Sequence, residues 1–494
     1  MKRILFALTA ISLIAFSAGT TVAAPTLEQR MKLLEQTLQD LLSRDAAKDR
    51  EIQRLRRALK ANGGGHRVTT TKGSGGHGHG HKGHGGHKGH DDHKDHAGHT
   101  DEKEDKAVYS TTIQGRRAAL DWIGVAFNAA AGYSSEPSAV SQNLQAGGHD
   151  PKATGFRLQS ADFSMIGSVE RAFDAELHIA FVINQLTGGT GVELEEAFMR
   201  TNSLPYGFDI EAGQMFTEFG VLNPQHLHDW AWIDQPVVNS RMFGGDGARQ
   251  TGVRIGWKTP MVGPWYAHLH VGAQNPTGET MKSFLGSDEA LSERARRKGN
   301  VNGIDDLVYL TRFDNRLELG KAKVRAGFSG LFGPNATGPS GNTQIYGADL
   351  TVNYPIAKMW DLRWTNEFMY RRYRAQRDVA GGTGTDTLID HGLYSQIALE
   401  YGNKYWLGFR YERATGSGDE PARDGSADLD QRQRFSPILG WRFAPRAHLR
   451  FQYNYDKADH LNAIDTKEDT TAHAFWVGLG WTFGAGEQHH DHGH

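Results

Sequence analysis

The chain has 494 residues, with Lys and Arg at 55 against Asp and Glu at 57, no cysteine, 60 glycines and 10% aromatic residues on only 38% hydrophobic residues. The lack of cysteine excludes disulfides, thiolate metal sites and cysteine nucleophiles together. A charge near zero, without a basic module, excludes a nucleic-acid partner. Many glycines and aromatics on low overall hydrophobicity suit a transmembrane β-barrel, whose lumen face is polar.

The chain opens with Lys2 and Arg3, an apolar run from Ile4 to Phe16 and small residues up to Ala24. This pattern predicts a secretory signal peptide over 1–23, because the apolar core is too short to span a bilayer. No later run of 18 apolar residues predicts a helical span. Residues 26–61 read as a helix with a seven-residue repeat. Met31, Leu38, Asp45, Ile52 and Leu59 hold one core position; Leu27, Leu34, Leu41, Lys48 and Leu55 hold the other. Apolar residues at eight of these ten positions predict a coiled coil, with Asp45 and Lys48 fixing register.

Residues 62–106 are rich in Gly, Lys and Asp and do not predict a fold. They carry His66, His77, His79, His81, His84, His87, His90, His93, His96 and His99. Glycine spacing lets several imidazoles converge on one ion, and neutral imidazole suits zinc, copper or nickel. The tail over 484–494 repeats this chemistry with His489, His490, His492 and His494. A spacer that happens to be His-rich is the plainer reading.

From 107 to 483 the chain reads as about 16 short alternating strands, five before and eleven after one long unpatterned stretch. The strands fall near 123–134, 156–169, 173–184, 192–202, 207–219, 249–259, 265–275, 305–319, 322–333, 343–354, 361–373, 388–401, 404–414, 432–443, 447–458 and 471–483. Tyr405, Leu407, Phe409 and Tyr411 oppose Trp406, Gly408, Arg410 and Glu412, which sends apolar faces to lipid and polar faces to the lumen. The fold class expected is all-β: an antiparallel transmembrane barrel of about 16 strands behind an N-terminal helical coiled coil. Short connections at 171–172, 203–206, 320–321 and 444–446 alternate with long ones at about 135–155, 220–248, 276–304, 374–387, 415–431 and 459–470. In an outer-membrane barrel the short turns are periplasmic, which would put both termini in the periplasm.

The unpatterned stretch, 221–248, is crowded with Trp, His, Asp and Arg, and a loop of that length in a compact fold is usually functional. Folded into the lumen, its His226, His228 and Asp229 would offer a loose cation site. In the plainer reading these histidines, with Trp230, Trp232 and Asp234, pin the loop to the wall. Arg241, Arg249 and Arg254 would line the opposite wall. By strand parity His178, His268 and His270 face the lumen, His178 beside Glu176. Arg294, Arg296, Arg297 and Lys298 form a cationic loop that would suit lipopolysaccharide phosphates. No serine stands in a nucleophile setting, so no enzyme is expected.

The layout resembles Gram-negative porins of sixteen strands, and the coiled coil is similar to that of phosphate-selective and sugar-specific porins, which implies a homotrimer. The segment HDWAWIDQPVVNSRMFGGDGARQTGVRIGW, His228 to Trp257, resembles short outer-membrane proteins labelled zinc-regulated TonB-dependent outer membrane receptors. This second resemblance covers roughly 107–483, is sharpest over 190–260, and implies an outer-membrane role in zinc supply. A TonB-dependent transporter needs a plug inside about 22 strands. About 16 strands preceded by coiled coil and linker leave no plug, so the residues predict a passive pore. Zinc or another divalent ion would be its cargo, with the periplasmic histidines binding what enters. The alternatives are a general or anion-preferring, phosphate-type porin with an incidental metal buffer, and a periplasmic metal store anchored by a barrel.

Overall fold

The computed structural model describes residues 107–486 except 114–115, 171, 186, 203, 287–295, 377–383, 416–430 and 459–469. The expected signal peptide, coiled coil and linker, and the tail from 487, lie outside the described residues. Strands β1 (Tyr109–Ile113), β2 (Arg116–Ser134), β3 (Gly155–Val169), β4 (Phe173–Ile183), β5 (Thr190–Thr201) and β6 (Phe208–Phe216) precede the long loop. After it come β7 (Arg249–Lys258), β8 (Trp265–Gln274), β9 (Val308–Leu319), β10 (Ala322–Pro334), β11 (Asn342–Ala357) and β12 (Trp360–Gln376). The last five are β13 (Thr385–Tyr401), β14 (Tyr405–Ala414), β15 (Arg432–Ala444), β16 (Ala447–Ala458) and β17 (Thr470–Gly486). Two short helices sit in loops: α1 (Ser138–Leu144) and α2 (Val237–Phe243).

β2 to β17 pair antiparallel with their sequence neighbours, and β17 returns to β2, closing a barrel of sixteen strands. Each expected strand is present. β1 was not foreseen: it pairs with Arg116–Leu120 of β2, just where β17 ends. Closure leaves no open edge, which is what a sheet in lipid requires.

The polarity is that of a barrel in a membrane. Leu407, Phe409, Leu439 and Phe451 face outward and are exposed, while Arg410, Arg434, Arg450, Glu412 and Asp456 point inward and are buried. A charge on the outer face at the bilayer midplane would cost roughly 2–4 kcal/mol. Phe208, Trp257, Trp360, Tyr401, Tyr405 and Trp441 ring the rim that carries the short turns. Nearer the other rim, Tyr411, Phe435 and Tyr455 pack ring to ring at 5.1 and 6.1 Å. Two aromatic girdles of this kind mark the membrane interfaces.

Among the described residues, parts of the long connections at the second rim turn inward. Residues 217–248 pack inside the barrel, and every residue of α2 is buried. One sector of the lumen face departs from the expected polarity. Leu310, Leu331, Ile345, Met369 and Tyr394 point inward and form an apolar core with Phe219, Val238, Met242 and Phe243 of the loop and Met281 and Phe284 of the next loop. The in-folded segments are long enough to need a core of their own, and this sector of the wall supplies part of it.

Candidate functional site

The loop is held from one side by arginines of β12 to β16. Asp234 is fully buried. Its Oδ1 accepts from Arg410 and from Gln452 Nε2 (2.7 Å), and its Oδ2 from Arg434 Nη1 (3.0 Å) and Asn454 Nδ2 (2.6 Å). Burial alone would raise this carboxyl, but Arg410, Arg434 and the two amides outweigh it and hold it at about 2. Arg450 Nη1 donates to the Trp230 and Trp232 carbonyls at 3.0 Å, and Arg371 Nη1 to the Arg241 carbonyl at 2.8 Å. The first N–H of α2, on Val237, donates to Glu412 at 2.7 Å. Trp232 Nε1 reaches the Ser436 carbonyl at 3.1 Å, with its ring against Ala398, Trp406 and Ile438. Trp230, Trp232, Asp234 and Arg241 therefore pin the loop to this wall.

The other side is a wall of carboxylates and imidazoles on β3 to β8. His226 lies between two glutamates of β5: Nδ1 is 3.0 Å from Glu195 Oε2 and Nε2 is 2.9 Å from Glu196 Oε2. A carboxylate only accepts, so both ring nitrogens donate and the ring is an imidazolium. Burial pulls His226 down, yet the bonds to Glu195 and Glu196 carry it well above 6.5. A β-bulge makes this clamp. His178 pairs with Glu196 and Ile179 with Leu194, which leaves Glu195 as the extra residue and turns two successive carboxylates into the lumen. His178 stacks on His226 at 4.3 Å and bonds Glu176 at 3.3 Å. His149, from the first long loop, places Nε2 3.9 Å from Glu195 and 3.8 Å from Asp246. Among the described residues two sets of three donors are close enough to share an ion: His178, Glu196 and His226; and His149, Glu193 and Glu195.

Of the expected loop trio, His226 alone enters such a set. His228 turns to Asp162 at 3.5 Å, with Asp229 3.8 Å from its other nitrogen and partly exposed. Arg249 and Arg254 do not line an opposite wall. They stand on β7 beside the acids: Arg249 with Glu193 at 2.7 Å and Glu195 at 3.5 Å, Arg254 with Glu211 at 2.8 Å. The sequence does not show on which side of the lumen they stand; the barrel's order of strands does. The opposite wall is built by Arg371, Arg410, Arg432, Arg434 and Arg450, which were not singled out. His268 and His270 do face the lumen, 4.0 Å apart, bonded to Asp209 at 3.0 Å and Arg254 at 2.9 Å. Arg296 and Lys298 turn to Leu285 and Asp306 of their own loop region, and Arg294 lies outside the described residues. The linker histidines His77 to His99 and the tail histidines His489 to His494 also lie outside them.

Two cavities lie against the loop. One, of about 740 Å³, opens toward the short turns and is lined by Glu196, Glu211, Glu218, Asp209, Arg254, His268 and His270. The other, of about 260 Å³, lies on the arginine side with Trp230, Trp232, Arg363, Arg410, Arg442 and His448.

No family model matches the chain. A curated protein of Aquifex aeolicus, described as uncharacterized, is 29% identical over 281 residues, covering 54% of this chain and 56% of its own length. The chain thus matches about half the length of that relative. Among solved structures, the barrel is similar to the outer membrane channel DcaP of Acinetobacter baumannii (13% identity, 74% of this chain and 97% of that one, TM-score 0.48). It is also similar to an anion-selective porin from Comamonas acidovorans (12% identity, 74% and 100%, TM-score 0.45).

Proposed function

We propose that this barrel is a passive outer-membrane channel of the porin type that admits cations, divalent zinc-type metal ions foremost, with both termini on the periplasmic side. One observation carries the reading: the vestibule of about 740 Å³ has six carboxylates, Asp174, Glu196, Asp209, Glu211, Glu218 and Asp314, against four cations, Arg200, Arg254, Lys258 and Arg316, with the imidazoles of His268 and His270 among them, while Arg410, Arg434 and Arg450 of the other wall are engaged in holding the loop. A cleft with an excess of one sign of charge favours its counter-ion. Selective conduction needs donors that hold an ion and release it, and an imidazole–carboxylate wall meets that need. The His-rich segments over 62–106 and 487–494 would capture the metal after passage, and a coiled coil over 26–61 would join three chains. TonB would have no part in this, because the in-folded loops belong to the barrel and form no separate plug.

Planar-bilayer recording of the purified protein in a potassium chloride gradient tests the channel. Cation-selective steps that micromolar zinc blocks reversibly are expected. Anion-selective steps indifferent to zinc would instead support a general porin whose arginine side, with Arg363, Arg410 and Arg442, governs passage. A barrel without conductance would support a metal store anchored in the membrane.

A further inference from the structure

We propose that the acidic wall holds two successive binding stations for a divalent cation of the zinc type, linked through the His226 ring. Station one is His149, Glu193 and Glu195; station two is His178, Glu196 and His226. The inference deepens the channel reading and rests on it for the direction of travel; the stations themselves rest on geometry.

The first argument is His149. Its Nδ1 meets the Gln159 carbonyl at 3.1 Å. A carbonyl only accepts, so Nδ1 carries the hydrogen. This is the arrangement by which metal-binding histidines fix their tautomer and aim the other nitrogen at the ion. The carbonyl is available because Gln159 is itself the extra residue of a bulge between β2 and β3. His149 is 6% exposed, and its Nε2 has no hydrogen-bond partner among the described residues. It faces carboxylate oxygens of Glu195 and Asp246 at 3.9 and 3.8 Å, too far for hydrogen bonds. Two donors on one zinc ion at tetrahedral angles stand about 3.3 Å apart. The donors of station one lie within 4.8 Å of one another, so side-chain movement of up to about 1.5 Å would close it on an ion.

The second argument is charge. The three station carboxylates, Glu193, Glu195 and Glu196, face Arg249 and the His226 imidazolium, while Asp246 also lies in the field of Lys152 and Arg157. The stations thus hold more carboxylates than fixed cations, an excess that a bound cation offsets. Nitrogen donors in both stations favour zinc-type ions over magnesium and calcium, which take oxygen.

The third argument is position. Station one adjoins a small pocket shared by His149, Glu195, Gln225 and Asp246 on the long-loop side, whereas Glu196 of station two lines the large vestibule toward the short turns. His226 touches both stations, Nδ1 to Glu195 and Nε2 to Glu196. An ion in station two displaces the proton now shared between Nε2 and Glu196, as metal binding to imidazole requires.

The test is anomalous diffraction at the zinc edge from crystals of the full chain soaked in zinc, beside bilayer recording of the same protein and of Glu193→Gln and His178→Gln. The expected results are an anomalous peak within about 2.3 Å of the donors of either station and a zinc concentration for half-block at least about tenfold higher in each variant. Neither variant touches the contacts of Arg371, Arg410, Arg434 and Arg450 that dock the loop, and single-channel steps retained in each variant will show that the barrel is folded. Zinc peaks confined to other histidines, or a half-block equal in wild type and both variants, would overturn the stations. Cation conductance without a peak sinks the stations and spares the channel. A peak without cation conductance spares the stations and sinks the channel.

Discussion

Replacing Asp234 with asparagine should release the loop from the arginine wall while leaving the barrel closed. Each carboxylate oxygen accepts from one arginine and one amide: Oδ1 from Arg410 and Gln452, Oδ2 from Arg434 and Asn454. Asparagine keeps one oxygen and turns the other into a donor. Either way it is flipped, its NH2 meets a guanidinium and an amide that also donate. Two buried arginines each lose one counter-charge together, Arg410 keeping Glu412 and Arg434 keeping Asp456. Removing one partner of a buried ion pair costs about 3–5 kcal/mol, so the ratio of docked to undocked loop should fall by about 10²- to 10³·⁵-fold. The Ile233 amide, bonded to Gln452 Oε1 at 2.8 Å, is the reporter. Its hydrogen exchange should accelerate by that factor, and single-channel conductance should rise and shift toward anions as Arg410 and Arg434 are freed. Asn454→Ala removes one donor of four and should cost only about 1 kcal/mol. Unchanged exchange at Ile233 together with unchanged conductance in Asp234→Asn would refute the view that this carboxylate holds the loop.

The same carboxylate sets a pH limit. Its folded-state value of about 2 lies below the ordinary 3.8, so its contribution is present above about pH 4 and lost as pH falls toward 2. Conductance should be steady from neutral to about pH 4 and then rise. Gly220 enters the loop at a φ of +67°, and a Cβ there would lie 1.5 Å from Glu367 Oε1. Gly220→Ala should destabilise docking by about 2–5 kcal/mol, from the left-handed backbone and overpacking together, read as faster exchange across 221–248. Deleting 62–106 should lower the number of zinc ions bound per chain, measured by metal analysis, without altering conductance; a lower conductance would contradict the division between pore and capture segments.

The strands were legible because each has one face in lipid and one in the lumen, so alternation is enforced along most of its length. The loop was legible as an unpatterned stretch too rich in Trp, His and Asp to be slack. The acidic clamp was not, since strict alternation sends one of Glu195 and Glu196 into lipid. That cost was itself the missed signal: adjacent glutamates in a barrel strand call for a bulge. His149 could not have been joined to Glu195 from spacing, because the first loop's fold depends on contacts such as Gly148 N to the Gly245 carbonyl at 2.8 Å. The apolar lumen sector was hidden for a related reason. Leu310, Ile345 and Met369 read as lapses in alternation until the segment that covers them is in place.

The short β1 strand bears on how the barrel closes on the right residue. β17 pairs along β2 only as far as Gly486 opposite Trp122, and β1 begins opposite Leu120. The one residue between, Asp121, is bulged against β3. Gly486 sits at a φ of +96°, with no room for a Cβ against the Asp121 carbonyl. A local hairpin thus occupies the rest of that edge and acts as a buffer stop. The last strand can slide no further along the first, and the slip of one residue that would exchange every lipid-facing side chain of β17 for a lumen-facing one is blocked before the ring is sealed.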